Sequence, residues 1–376
     1  MVAESTLKLM FSAGEASGDQ HAAGVLRALV QRQPKLRAVG LGGGELTAAG
    51  AELTLNYGEL AIIGISGILK QAGRFRRALA TLTTELISCD ALICVDFGGF
   101  NKKLASRAHR LGVPVFYYIC PKVWVWGSWR AAGFAKVCDR MLPIFPFEKE
   151  LWESFGVPAT YVGNPILDYL PEPKQPGDSK RIALLPGSRP GEIKTLLPIM
   201  LAAARLLKQQ QPRLRFVLPS ATEEINKLTE NVLCELDDRE LVERPGIGYY
   251  YPAIQSCGLA LVASGTASLE LACLGIPHLL VYKTSPATAL FARSVIRQRW
   301  IGLPNLIAQR SIVPELLQNQ LTPASLAGLT TEFLSDDQRR QQQRTEGLKI
   351  RESLGGGGAG ARAAAVILSG IGAADG

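Results

Sequence analysis

The sequence predicts two doubly wound α/β domains, each a parallel sheet with helices on both faces. Three observations carry that prediction. Apolar runs that break into small-residue loops and resume at helical spacing recur along the chain, as in "LKLMFSAGEASGDQHAAGVLRALV", "ALICVDFGGFNKKLASRAHRLG" and "RIALLPGSRPGEI". Strands alternating with helices build parallel sheets. The series is interrupted at "PEPKQPGDSK", residues 171–180, where three prolines and no apolar periodicity read as a linker. A chain of 376 residues is also long enough for two domains with their own cores.

Taken in order, the first strand stops at Gly14, and apolar residues then recur at helical spacing from Ala22 to Val30. The same grammar returns at "ALICVDFGGF" and at "VPVFYYIC", and these units make up a first domain over residues 1–170. Beyond the linker, "RIALLPGSRPGEI", "RFVLPSA" and "GLALVASGTASLELACLGIPHLLVY" repeat the architecture, without repeating the sequence, over residues 181–345. The remaining residues, 346–376, form a helical tail interrupted by Gly355–Gly358, a glycine run suited to a flexible joint. The last helix could pack on either domain or on a second chain, which leaves a homodimer open. Ligands of such sheets bind outside the carboxyl ends of the strands, so two facing domains would place a site between them.

Composition narrows the function. A hydrophobic fraction of 47% with 20% charged residues is that of a globular protein. No apolar run reaches the roughly 18 residues of a spanning helix. The start, Met1-Val2-Ala3-Glu4-Ser5, lacks a basic region and a cleavage-type site, and the expectation is a cytoplasmic protein. Seven cysteines form no CxxC pair, and the three histidines, His21, His109 and His278, stand far apart, so neither disulfides nor a protein-held metal are expected. A net charge of +8 suits nucleic acid, an anionic membrane or a phosphorylated substrate. The absence of a long Lys/Arg block or a reading motif counts against nucleic acid.

The candidate site residues lie in the loops. "VASGTASLELACLGIP" breaks into Ser264-Gly265-Thr266-Ala267-Ser268 at the mouth of a helix, where free N–H groups and the helix dipole can receive a phosphate; a tight turn with hydroxyl caps fits equally. Glu270, in the first turn or so, could accept two hydrogen bonds from a ribose diol or simply suit the dipole. "LLPGSRPGE" places Arg189 at a strand end, with Gly187 and Ser188 making room, where a guanidinium can neutralise a leaving diphosphate or is simply an exposed surface arginine. In "CVDFGGF", Asp96 ends an apolar strand and is either a general base or a turn residue. "GEASGD" carries Glu15, Ser17 and Asp19 without the GxGxxG spacing; its carboxylates suit sugar hydroxyls, or Ser17 or Asp19 caps the helix. "YYICPKVWVWGSWR" joins Lys122 to Trp124, Trp126 and Trp129, either core packing or a surface for an acylated phosphosugar. Asn305 and Gln309 are polar groups set into the otherwise apolar "IGLPNLIAQRSIVPELLQ". The stretch from Ile62 to Arg77, apolar and then basic, fits an anionic membrane surface as well as a buried amphipathic helix.

In this order, "GEASGD", "VDFGGF", "PKVWVW", "FPFEKELW", "VGNPILD", "LLPGSR", "ASGTASLELA" and "LPNLIA" resemble the signature stretches of bacterial lipid-A-disaccharide synthases, inverting glycosyltransferases of the GT-B fold. The likeness spans nearly the whole chain. It implies two Rossmann-like domains facing across a cleft, the first on the acceptor side and the second binding the UDP-sugar. It also implies transfer of 2,3-diacylglucosamine from its UDP derivative to 2,3-diacylglucosamine 1-phosphate, giving a β-1,6-linked disaccharide and UDP, with no cofactor. Asp96 is then the base, Arg189 with Gly187, Ser188 and the 264–268 loop the diphosphate clamp, and Glu270 the ribose reader. Glu15, Ser17, Asp19, Lys122, Trp124, Asn164, Asn305 and Gln309 line the substrate sites. Acylated substrates imply peripheral contact with the anionic inner membrane. The chain departs from the family pattern at Gly99, Gly127 and Asn164, where an aspartate, an arginine and a histidine are usual. These departures bear on the acceptor. Another UDP-sugar enzyme of the same fold, a transferase on a different lipid or a 2-epimerase, and a non-catalytic UDP-sugar or lipid binder are the alternatives.

Overall fold

A computed structural model describes residues 6–59, 68–126, 128–284 and 299–373. The chain divides into two compact units, Met1–Asp168 with Leu354–Gly376, and Tyr169–Ser353.

Among the described residues unit 1 holds six strands, β1 (Lys8–Ala13), β2 (Arg37–Gly42), β3 (Glu52–Asn56), β4 (Ala91–Val95), β5 (Val115–Tyr118) and β6 (Arg140–Leu142). They lie in the order β3-β2-β1-β4-β5-β6, every neighbouring pair parallel. The helices are α1 (Ala16–Arg32), α2 (Gly44–Ala48), α3 (Ile68–Leu86), α4 (Gly98–Arg110), α5 (Val123–Trp126), α6 (Ala131–Ala135) and α7 (Pro146–Ser154). β4 is buried along its whole length, which explains its unbroken apolar sequence, ALICV. The strand order reverses direction between β1 and β4, and the loops leaving these two strands meet there.

Unit 2 repeats the plan with β7 (Asp178–Leu185), β8 (Arg215–Val217), β9 (Val242–Glu243), β10 (Cys257–Ala263), β11 (His278–Tyr282) and β12 (Glu315–Leu317), in the order β12-β11-β10-β7-β8-β9. The helices α8 (Pro190–Gln210), α9 (Glu223–Leu236), α10 (Tyr250–Gln255) and α11 (Thr266–Cys273) connect them. Here the order reverses between β7 and β10.

The tail does not stand alone. The polar helix Asp337–Ser353 belongs to unit 2 and packs on α11, whereas the final helix, Ala359–Gly370, returns to unit 1 and packs on α1. That return depends on Gly360, where a Cβ would stand 3.1 Å from the backbone of Gly24. The glycine run follows directly on the return to unit 1, where the Gly358 N–H donates to Asp168 at 2.5 Å. The proline-rich linker is also shorter than its composition suggests, because residues from Asp178 already belong to β7.

Candidate active site

In open α/β sheets, ligands bind outside the carboxyl ends of the strands where their order reverses. Asp96 and the loop after Gly14 stand at that point of unit 1; Gly187–Arg189 and Ser264–Thr266 stand at it in unit 2.

Asp96 has φ 45°, the next residue Phe97 has φ 48°, and Ile119, at the end of β5, has φ 56°. Left-handed backbone costs a non-glycine residue about 1–3 kcal/mol and persists only where its surroundings over-determine it. They do so here. The Asp96 carbonyl accepts the Tyr117 hydroxyl at 2.6 Å and the Asn101 amide at 2.9 Å. Asn101, wholly buried on α4, also donates to the carbonyls of Ser12 (3.0 Å) and Val95 (3.3 Å) and accepts the Ser12 hydroxyl at 2.6 Å. One carboxamide thus staples β1, β4 and the turn that carries Asp96. The Asp96 side chain remains open to solvent at the sheet edge, yet it is ringed by enough protein that desolvation raises its pKa, against the pull of Lys122 and an N–H of Phe97. A surface-accessible carboxylate with raised basicity is what proton abstraction requires.

The neighbouring loop is set by close contact. The Phe97 ring lies so near Gly14 that a Cβ there would be 2.2 Å away, which places exposed Glu15 and Ser17 beside the Asp96 turn. Asp19 has another task. It is buried, and its oxygens accept the N–H groups of Gly43 (2.7 Å), Glu45 (2.9 Å) and Leu46 (3.3 Å), capping α2. Its carboxylate is therefore not offered to a sugar. Lys122 is exposed, and Trp124 donates its indole N–H to the buried Glu148 at 2.9 Å. Asn164 is an internal residue: its Oδ1 accepts the Ile166 N–H at 3.1 Å, forming a turn in unit 1.

In unit 2, register pairs Leu185 of β7 with Val262 of β10, so the two following loops leave adjacent strand ends. Arg189 caps α8 and is largely exposed, resting on Glu192 at 3.0 Å. Gly187 takes φ 108°, and a Cβ there would come within 2.5 Å of the Glu192 carboxylate. Ser188, Gly265 and Thr266 are exposed, Ser264 and Ala267 half-buried, and a Cβ on Gly265 would meet nothing within 4 Å. The first N–H groups of a helix have no partner within it, so the starts of α8 and α11 offer donors on loops that leave adjacent strands, one of them carrying Arg189. The combination can hold a diphosphate. Glu270, one turn on, accepts the Tyr251 hydroxyl at 3.3 Å and a bond from Tyr169; burial raises its pKa.

Two expected ligands in this unit are structural instead. Ser268 is buried with its hydroxyl 3.1 Å from Nε2 of His278, whose Nδ1 lies 2.9 Å from the Ile276 carbonyl. Burial lowers the His278 pKa to about 4. The ring is thus neutral, Nδ1 carries the proton, and Nε2 accepts from Ser268. Asn305 is wholly buried: its amide donates to the Val313 carbonyl and to Glu315, both at 2.8 Å, and its oxygen accepts the N–H groups of Ile312 and Val313. Every polar atom of that side chain is occupied by its own loop. Gln309 is exposed at the end of the helix Leu303–Ala308, in left-handed conformation.

Sequence reasoning passed over Asn101, Tyr117 and Glu148. A signal for Asn101 exists: it shares the buried face of α4 with Phe100, Leu104, Ala105 and Ala108, a polar residue in an apolar phase. Among the described residues no group of three or more His, Cys, Asp or Glu converges as metal ligands would, and no helix is long and apolar enough to cross a membrane. Residues 62–67 of the expected membrane stretch, with Ile62, Ile63 and Ile65, lie outside the described residues, as does Gly127; Arg74, Arg76 and Arg77 are exposed on α3.

A family model described as lipid-A-disaccharide synthetase matches residues 9–366. Relatives include the lipid-A-disaccharide synthase of Geobacter sulfurreducens, 34% identical over 99% of either chain, and that of Myxococcus xanthus, 36% identical over 96% of this chain and 97% of the relative. Solved structures with the same fold include MurG of Acinetobacter baumannii, with TM-score 0.58 and 18% identity over 98% of this chain and 99% of that one. Another is the UDP-GlcNAc 2-epimerase of Neisseria meningitidis bound to UDP-GlcNAc, with TM-score 0.58 and 12% identity over 97% and 98%. At such identities the structures speak for the fold alone, a two-domain α/β fold of GT-B type.

Proposed function

Because the chain belongs to the lipid-A-disaccharide synthase family of glycosyltransferases, we propose that it joins UDP-2,3-diacylglucosamine to 2,3-diacylglucosamine 1-phosphate without a metal. Asp96 takes the proton of the acceptor's 6-hydroxyl as that oxygen attacks the anomeric carbon from the face opposite the nucleotide. The bond from that carbon to the diphosphate breaks, its electron pair leaves with UDP, and configuration inverts to the β-linkage. The N–H groups at the starts of α8 and α11, with Arg189 swinging from Glu192, neutralise the diphosphate charge. Glu270, braced by Tyr251 and Tyr169, reads the ribose. Glu15, Ser17 and Lys122 meet the acceptor. Asp19, Ser268, Asn164 and Asn305 serve as supports and carry no ligand role.

The observation that carries this reading is the Asp96 turn, two consecutive left-handed residues pinned by Asn101 and Tyr117 at the reversal point of unit 1. The test is turnover of the two acylated sugars in chelator. Disaccharide and UDP form with the wild type, and Asp96→Asn and Arg189→Ala abolish or cripple turnover while remaining folded. Full activity of Asp96→Asn, or dependence on added magnesium, overturns the mechanism; UDP binding without disaccharide formation favours a different acceptor.

Acylated substrates call for a cytoplasmic enzyme that touches the inner membrane, and exposed Arg74, Arg76 and Arg77 on α3 supply charge for anionic lipid. Flotation with anionic vesicles should weaken in an Ile65→Asp, Ile68→Asp, Arg76→Glu variant. Equal flotation of variant and wild type removes this contact.

A further inference from the structure

Glu148 opens as an ordinary first-turn acid of α7, but its two oxygens do different things. Oε2 accepts the N–H groups of Ile144 (3.3 Å) and Phe145 (3.2 Å), the contacts of a helix cap. Oε1 reaches out of the helix to the Trp124 indole at 2.9 Å. Capping requires only the first pair. The second bond ties the start of α7 to the segment after β5, where Trp124 also packs edge-on against the stacked pair Phe145 and Phe147, with ring centroids 6.2 and 5.1 Å away. Lys122, two residues earlier, favours the ionised forms of both Asp96 and Glu148, so its ammonium lies within electrostatic reach of both carboxylates.

We infer that Glu148 is a positioning residue for the transfer: by holding the Trp124 indole it fixes the segment 122–124 and with it the reach of the Lys122 charge toward Asp96. The inference rests on Asp96 being the base. Lys122 stabilises the ionised Asp96 that receives the proton, and a displaced Lys122 leaves that carboxylate less ready to ionise. Among the described residues the hydrogen bonds to Glu148 come from three N–H donors, so a proton on either oxygen breaks one arm of the strap. Burial raises its pKa to about 7, against the pull of those N–H groups and Lys122. The other groups facing it are the Cys120 thiol and the Tyr161 hydroxyl, both pushed upward by burial, so neither changes charge near neutrality. Above neutrality the strap holds; as pH falls through about 7 it loosens.

The test uses the full-length enzyme with nitrogen-labelled tryptophan, the Trp124 indole resonance being assigned by its loss in Trp124→Phe. In the wild type this resonance titrates with a midpoint near 7, and in Glu148→Gln it does not. Glu148→Gln and Trp124→Phe each lower kcat by about a hundredfold, the scale of a misplaced catalytic group. The double variant falls little further, because both changes cut one strap. The acid limb of kcat/KM becomes shallower by one proton in Glu148→Gln. A folded Trp124→Phe with wild-type kcat and pH profile, or a Glu148→Gln profile superimposable on the wild type, overturns the inference and leaves Asp96 as the base. An active Asp96→Asn enzyme overturns both readings together.

Discussion

The sharpest consequence of the structure is borne by Asn101, which touches no substrate. Asn101→Ala removes a carboxamide whose oxygen accepts the Ser12 hydroxyl and whose two N–H donors are shared among the carbonyls of Ser12, Asp96 and, at 3.3 Å, Val95. The Asp96 carbonyl keeps Tyr117 at 2.6 Å, and the 3.3 Å bond to Val95 contributes little. The remaining bonds are worth about 1 kcal/mol each, and a Ser12 hydroxyl left unpaired in the core costs about 1–3 kcal/mol more. Release of left-handed strain at Asp96 and Phe97 offsets part of this, and the net loss is about 3 kcal/mol. For a unit of this size that lowers Tm by roughly 6–12 °C. The same release lets the Asp96 turn relax, so kcat falls by about a hundredfold, as for a catalytic group displaced by about an ångström. UDP affinity should not change, because the groups proposed to hold the nucleotide belong to unit 2. Calorimetry, UDP titration and saturating-substrate turnover read the three effects separately. A Tm within about 2 °C of wild type, equivalent to under 1 kcal/mol, together with normal kcat, refutes the argument that Asn101 holds the base.

Further outcomes follow from the nucleotide side and from a buried histidine. Gly265→Val introduces bulk where a Cβ meets nothing, so Tm should stay unchanged while UDP binds at least about tenfold more weakly, a loss of about 1.4 kcal/mol; undiminished affinity by calorimetric titration places the phosphate elsewhere. His278 is lowered from 6.5 to about 4 in the folded state, so between those values the unfolded chain binds a proton that the native chain refuses. Stability therefore falls as pH drops from 6.5 toward 4, by about 3 kcal/mol from this group. His21, also lowered to about 4, contributes with the same sign. His278→Gln should roughly halve the loss of Tm on acidification; an unchanged pH slope shows that the ring is not held neutral.

The alternation of apolar strands and helices makes both sheets legible from sequence, and the exposed position of Asp96 is legible because an acid that ends a buried strand has few places to point except out of the sheet. The comparisons place the chain in the family that the ordered motifs resemble. Sequence reasoning failed on the direction of polar side chains near the loops. Asp19, Ser268, Asn164 and Asn305 are the right residue types beside the right turns, and each faces inward. Helix phase settles part of this without coordinates. At about 100° per residue, Ser268 and Glu270 stand about 200° apart on α11, so no orientation of that helix presents both to one ligand. Ser268 shares its face with Leu271 and Ala272, both buried, which turns Glu270 outward. Asp19 likewise shares the buried face of α1 with Ala22, Ala23 and Leu26. No such rule finds Tyr117 or Glu148, because their partners lie on other elements: the Asp96 turn after β4 and the Trp124 indole after β5. Those contacts exist only once parallel strands set the loops side by side, so the supports of the site depend on tertiary pairing while its exposed groups can be read from local pattern.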